Sequence, residues 1–286
     1  MIRSILFTSM MVGLAINGHA RETPTVIDDN KIAQSLATGL GKLIDAGGVP
    51  HSKKLIQQLS RKTCTLQLPE VSTTKPDNLY ESASDSVVAI GSVYKCDKCD
   101  DWHQGGAATA WILTSDGVMV TNYHVFRGKD VSGFGIRTRD GKVAPVVEIL
   151  AANERDDVAI FRVKGSGFKP LAIGPDARVG DAIHIIAHPD RRFYTYTVGN
   201  VSRYYKKRVR SRVPATSMAV TAEFARGSSG GPVMDVFGNV VGMVASTQSL
   251  YYPSKDKKDP KDNFQMVIRN CVPVSAIRAL VEKSAK

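Results

Sequence analysis

Residues 227–232 read Gly-Ser-Ser-Gly-Gly-Pro, and this short run organises the reading of the whole 286-residue chain. Ser229 lies inside a glycine turn. A turn of that composition lets a hydroxyl project into a cleft while neighbouring backbone N–H groups converge on one point, where an oxyanion formed in acyl transfer can be held. Glycines permit the required backbone angles and let a second molecule come close. Taken alone, the run also fits a plain Gly/Ser loop. A serine hydroxyl is a weak nucleophile without a base to take its proton, so its partners must be sought elsewhere in the chain.

Thr121-Asn122-Tyr123-His124-Val125 supplies a base at the end of an apolar run, and Asp156-Asp157-Val158-Ala159-Ile160 supplies a carboxylate opening a buried strand. Read singly, His124 is a packed core histidine and Asp157 a strand-edge charge. The spacing Gly227-x-Ser229-x-Gly231 also fits the nucleophile elbow of α/β-hydrolases, whose histidine follows the serine. All six histidines lie at or before position 188, which excludes that fold. The remaining order, His then Asp then Ser, is that of the chymotrypsin-type arrangement.

The texture around these residues is β. Apolar runs recur at 87–93, 107–113, 118–121, 146–150 and 158–163, then at 182–187, 194–201, 219–224, 240–245 and 264–268. Asp116-Gly117, Asp140-Gly141 and Gly238-Asn239 are turns among them. Short strands without intervening helices predict a barrel pair or a sandwich. Residues 273–282 read as a closing helix. Upstream, Ile32, Leu36, Leu40, Leu43 and Ile44 recur at helical spacing behind Asp28-Asp29-Asn30. Gly47-Gly48-Val49-Pro50 breaks that helix, and Ser52 caps a second short one.

The segments TNYHV around His124, DVAIF after Asp157 and GSSGGPV around Ser229 resemble the trypsin-like serine proteases, closest in flavour to the bacterial HtrA branch. The likeness runs from about Leu79 to Glu282. It implies a mainly β fold: two six-stranded antiparallel β-barrels of the chymotrypsin type, with a C-terminal helix and a small N-terminal helical extension. It implies an endopeptidase in which Ser229 attacks the scissile carbonyl, His124 takes its proton and Asp157 orients the ring. The Gly227 and Ser229 N–H groups would form the oxyanion hole. Asp156 is the rival for the third role; the family's Asp-x-Ala pattern favours Asp157. Water is the second substrate and no cofactor is required. Ser228 stands where digestive relatives carry an aspartate that pairs with a new N-terminus, and Ala245 where a hydroxyl residue often backs the triad. HtrA enzymes continue into PDZ domains, and this sequence ends after the last helix. Glu223, six residues before Ser229, holds the substrate-binding position at the floor of the primary pocket. There a carboxylate either selects Lys or Arg in the substrate or sits on a solvated face.

The domain boundaries follow: a signal peptide over 1–20, a helical extension or pro-segment over 21–75, and the protease domain over 76–286. Met1-Ile2-Arg3, an apolar stretch from Ile5 to Ile16 and Gly18-His19-Ala20 have the pattern of a cleaved secretory signal. That stretch is too short to span a bilayer, which needs about 20 apolar residues, and no later segment is apolar enough. The product is expected to be exported, periplasmic or secreted, with oxidised cysteines. The expected pairs are Cys96 with Cys99 and Cys64 with Cys271. Against the first stands a metal site built from Cys96, Cys99 and His103, which lacks an obvious fourth ligand.

The formal charge of +11 excludes neither class but is unevenly placed. Arg191–Arg212 holds eight Lys or Arg residues and no acid. With Tyr204 and Tyr205 interleaved, this segment is either an anion-binding site or the solvated hairpin of a strand pair. A second reading of function therefore accompanies the first. In it the chain is a catalytically weak binding protein on a protease fold, holding anionic partners through 191–212. The run Lys255–Asp262 reads as a surface loop. Protein or peptide substrates are the expected partners; the oligomeric state is not legible.

Overall fold

The computed structural model describes residues 25–96, 98–127, 130–207, 213–252 and 263–283. The signal reading at 1–20, the tip of the basic segment at 208–212 and the loop reading at 255–262 lie outside the described residues.

Two closed six-stranded barrels form the body. The first uses β2 (Val87–Lys95), β3 (Trp102–Ile112), β4 (Val118–Thr121), β5 (Gly133–Arg137), β6 (Val143–Asn153) and β7 (Val158–Val163), joined in the order β2-β3-β4-β7-β6-β5. The second uses β8 (Ala182–Ala187), β9 (Thr195–Lys207), β10 (Ala215–Val220), β11 (Pro232–Met234), β12 (Val240–Tyr251) and β13 (Phe264–Pro273), in the order β10-β13-β12-β11-β8-β9. All pairings within the barrels are antiparallel. Closure leaves neither sheet with an unpaired edge.

Each barrel interior is apolar. Phe126 packs edge-on against Phe134 and Phe161, with ring centroids 5.0 and 5.5 Å apart. Ile183, Ile185, Val220 and Val233 fill the second barrel. A third cluster joins the two: Val87, Trp111 and Ile160 from the first barrel meet Met234, Met243 and Val272 from the second, with Ile277 and Leu280. Burial of such side chains contributes about 1.5–3 kcal/mol each relative to exposure, so the seam between the barrels is held by core and not by surface contact.

The N-terminal segment is built into this body. Helix α1 (Asp29–Asp45) begins where the Asp28 carboxylate accepts the Lys31 N–H at 3.0 Å, satisfying one of the helix's orphan donors. Its buried stripe of Ile32, Leu36 and Leu40 lies on the outer wall of the first barrel. A Cβ at Gly135 of β5 would strike Leu40, and one at Gly41 would strike Trp102, so glycine sets the close approach on both surfaces. Helix α2 (Ser52–Gln57) follows, and β1 (Cys64–Leu66) pairs in parallel with β14 (Val281–Lys283) near the far end of the chain. Asp29 Oδ1 accepts the Phe193 N–H at 2.8 Å, so the same segment touches the second barrel.

Several elements depart from the sequence reading; β1 was not expected, and β10 covers 215–220 where the apolar run was 219–224. β5 and β11 fall outside the apolar runs. The expected closing helix over 273–282 shrinks to α4 (Val274–Arg278), because β13 continues to Pro273 and the residues after Leu280 turn into β14. The basic segment supplies β9, which pairs with β10 beyond it, and part of its charge is engaged. Arg192 pairs with Asp190 at 2.6 Å, Lys206 Nζ donates to Thr216 at 3.0 Å and Lys207 Nζ to Ser246 at 3.3 Å. Among the described residues no helix is long and apolar enough to cross a membrane.

Candidate active site

β4 ends at Thr121, and a 3-10 turn over Tyr123–Val125 carries His124 out of the first barrel. The turn's own backbone recruits the acid: Asp157 Oδ1 accepts the His124 N–H at 3.0 Å. The same carboxylate reaches the ring, with Nδ1 at 2.8 Å from Oδ2 and 3.1 Å from Oδ1. Asn122 Nδ2 donates to the Asp157 carbonyl at 2.9 Å. This clamp holds Asp157 at φ 57°, in the left-handed region that a residue with a Cβ adopts at a cost. Asp156, the sequence rival, faces elsewhere. It pairs with Arg155 at 2.6 Å and receives Asn153 Nδ2 at 2.9 Å.

Ser229 comes from the second barrel, on the turn leading into β11. Gly227 has φ 96° and Gly230 φ 88°. A Cβ at Gly227 would strike the His188 carbonyl, and one at Gly230 the Thr109 carbonyl. Both positions therefore demand glycine twice over, for angle and for space. Gly230 N–H donates to Val244 O at 2.9 Å and Gly231 N–H to Ser228 O at 2.9 Å. Among the described residues the N–H groups of Gly227 and Ser229 donate to nothing. Two unpaired donors two residues apart on one turn leave a site for an anionic oxygen. The Ser229 hydroxyl donates to the Ala245 carbonyl at 3.3 Å, not to His124. Ser228 is fully buried, and its hydroxyl has no partner among the described residues.

A residue absent from the sequence reading joins the two halves. Thr109 of β3 donates its N–H to Ser229 O at 2.8 Å and its hydroxyl to Gly227 O at 3.0 Å, and that hydroxyl accepts the His188 N–H at 3.2 Å. Its carbonyl accepts the Thr121 hydroxyl at 2.7 Å. Thr109 is wholly buried. The available signal was a lone hydroxyl within the apolar run Ala107–Leu113, a buried polar group needing partners. His188 is also wholly buried, and that burial pushes its pKa down to about 4. It stays neutral, and its Nδ1 accepts the Tyr194 N–H at 3.0 Å.

Beside the serine turn a cavity of about 360 Å³ is lined by Thr195, Thr197, Glu223, Phe224, Thr247 and Arg269, among others. Glu223 stands at its edge with the side chain 74% exposed, and its carboxylate pairs with the guanidinium of Arg269, which is 13% exposed. Arg269 also stacks over the Phe224 ring at 5.8 Å. The carboxylate that the sequence offered for a substrate cation thus already holds a cation of the chain itself.

Neither expected disulfide is formed. Cys271 is buried inside the second barrel, whereas Cys64 lies on β1 with its thiol donating to Leu280 O at 3.6 Å. Their backbones belong to different layers. Cys96 and Cys99 do approach each other, but their sulfurs stand 3.0 Å apart without a covalent bond, and both face His103.

Residues 108–243, which include His124, Asp157 and Ser229, match the trypsin-like peptidase domain family. The chain carries a trypsin-like peptidase domain. Relatives of this peptidase domain include Protease Do-like 5, chloroplastic, of Arabidopsis thaliana, 26% identical over 59% of this chain and 59% of that one. A probable periplasmic serine endoprotease, DegP-like, of Chlamydia pneumoniae is 26% identical over 47% of this chain and 28% of its own length. An uncharacterized protein, y4bJ, of Sinorhizobium fredii is 28% identical over 49% of this chain and 22% of that protein. The chain thus spans less than two thirds of each relative. A solved HtrA-type protease with a tripeptide superposes with a TM-score of 0.54 at 18% identity, over 70% of this chain and 60% of that one. That likeness fixes the chymotrypsin-like fold of the peptidase domain.

Proposed function

We propose that this chain is an exported serine endopeptidase that hydrolyses peptide bonds through His124, Asp157 and Ser229. The observation that carries the reading is the two-point grip of Asp157 on His124, backbone and ring, together with a glycine-bounded serine with two unpaired N–H donors on its turn. Asp157 fixes the ring so that Nδ1 carries its proton and Nε2 is left basic. Ser229 rotates from the Ala245 carbonyl toward Nε2, gives up its proton and attacks the substrate carbonyl. The Gly227 and Ser229 N–H groups hold the resulting oxyanion, and the amine leaves with the proton from His124. Water then enters by the same route in reverse and releases the acid. The cavity edged by Glu223 receives the side chain before the cut bond. Because Glu223 and Arg269 neutralise each other, that pocket shows little preference for Lys or Arg.

Export rests on the leader-like first twenty residues and on relatives described as periplasmic. Residues 25–75 act as a structural brace on the peptidase domain, since α1 and α2 are buried against the first barrel. One observation favours the second reading, a weakly active binding protein using 191–212. At rest the Ser229 hydroxyl is engaged by Ala245 and not by His124. A fluorophosphonate probe separates the two. Wild type should label covalently, with Ser229→Ala unlabelled and His124→Ala strongly slowed. Equal labelling of wild type and Ser229→Ala would remove the catalytic assignment.

A further inference from the structure

The turn joining β2 to β3 gathers three soft donor atoms that the peptidase chemistry does not use. Cys96 and Cys99 sulfurs lie 3.0 Å apart, the Cys99 sulfur 2.9 Å from His103 Nε2, and the Cys96 sulfur 3.5 Å from the same nitrogen. They come from one C-x-x-C-x-x-x-H run. Cys96 and His103 are half-buried and Cys99 is exposed.

We propose that Cys96, Cys99 and His103 form a binding site for a thiophilic divalent cation, zinc in the first instance, with water completing the coordination. A tetrahedral centre with metal–sulfur bonds of about 2.3 Å and metal–nitrogen bonds of about 2.0 Å has sulfur–sulfur edges of roughly 3.8 Å and sulfur–nitrogen edges of roughly 3.5 Å. The Cys96–His103 edge already has that length, and the other two need to open by about 0.8 and 0.6 Å. The exposed Cys99 supplies that movement. A disulfide between the cysteines would use two of the three donors and give His103 no role in the cluster. A cation uses all three. Two thiolates and a neutral imidazole balance the charge of a divalent ion, and binding releases two thiol protons to solvent.

The frame for the site is set independently of any ion. Tyr94 and His103 are register partners, and their ring centroids lie 5.6 Å apart with the planes tilted by 32°. Lys95 and Trp102 are the next pair, and both are tied to the end of α1. Trp102 Nε1 donates to Asp45 Oδ2 at 3.0 Å, Lys95 pairs with Asp45 at 3.8 Å, and Lys95 Nζ sits 5.0 Å over the Trp102 ring. The cation would staple the tip of this hairpin where it meets the N-terminal helix. The turn lies at the opposite end of β3 from Thr109, so the role is structural, not catalytic. Preorganised strands on either side lower the ordering cost of closing the site.

The test uses the full chain, purified under reducing conditions, stripped with chelator and titrated with Zn²⁺ or Co²⁺. Wild type should bind one equivalent of Zn²⁺ by elemental analysis, and the Co²⁺ form should show sulfur-to-cobalt charge transfer and tetrahedral d–d bands. Cys99→Ser, a change at an exposed position, should lose those bands and weaken Zn²⁺ binding at least tenfold, as should His103→Ala. Far-UV circular dichroism unchanged from wild type confirms that each variant folds. Binding by wild type no tighter than by folded Cys99→Ser overturns the proposal. So does preferential formation of a Cys96–Cys99 disulfide, seen as a loss of two hydrogens by mass, in protein exposed to air together with Zn²⁺.

Discussion

Replacing Arg269 by Met should convert an indifferent pocket into one that selects basic side chains. Met keeps an unbranched apolar side chain beside the Phe224 ring and removes the guanidinium that lies over that ring and pairs with Glu223. The Glu223 carboxylate, 74% exposed, is then free at the edge of a cavity sized for a side chain. Two unit charges at about 4 Å gain about 4 kcal/mol at an effective dielectric of 20, whereas fully exposed pairs measure only about 0.2–1 kcal/mol. An exposed carboxylate meeting a substrate cation inside a cavity falls between these limits and toward the lower one, at about 1–2 kcal/mol. That corresponds to a rise of roughly 5- to 30-fold in kcat/KM for Lys or Arg relative to Leu at the residue before the cut. The assay is a matched peptide series varied only at that residue, run on wild type, Arg269→Met and Arg269→Met/Glu223→Gln. Wild type should show a ratio near unity, the single variant the gain, and the double variant its loss. The reasoning fails if wild type already prefers Lys or Arg by tenfold, or if the double variant retains the gain.

Asp157→Asn should leave the fold intact and lower kcat by roughly 10⁴-fold, the scale seen when an amide imposes the wrong tautomer on such a histidine; activity within tenfold of wild type would remove Asp157 from the reaction. Thr109→Val is nearly isosteric yet strands Gly227 O and the His188 N–H. It should lower stability by about 1–3 kcal/mol in urea unfolding and slow acylation, and an unchanged midpoint would show that the latch is unimportant. His188 titrates near pH 6.5 when unfolded and at about 4 when folded. The unfolded state therefore binds the extra proton between those values, and the stability present above about pH 6.5 is lost as pH falls toward 4, by about 3 kcal/mol. In His188→Gln that component of the acid loss should vanish, and parallel pH curves for the two proteins would refute it.

Much of this was legible because patterning and turns agreed. The runs at 118–121, 158–163 and 182–187 are strands over those same residues, each a block of apolar side chains bounded by a turn or a charge. β5 was not legible for a reason visible only in three dimensions. Its Gly133 and Gly135 break up any apolar run, and they are there to admit Val49 and Leu40 from the N-terminal segment. The last residues read as helix because nothing in their own spacing reveals that β1 waits to pair with them. In the site, the types and order of His124, Asp157 and Ser229 were enough to bring them together on paper. The role of Thr109 and the pairing of Glu223 with Arg269 depend on which strand lies beside which, and that register is a property of the closed barrels.

The pairing of β1 with β14 also bears on how the chain is made. There the Leu280 carbonyl accepts both the N–H and the thiol of Cys64, 216 residues away. A ribosome finishes β1 long before its partner exists, and closing so long a loop is among the slower events available to a folding chain. Until then β1 is a bare edge, open to the wrong strand from a neighbouring molecule. A chain interrupted before Val281 keeps that edge permanently. The seam thus makes residues 281–283 a condition for protecting residues 64–66, and it marks products cut short before them for aggregation or clearance.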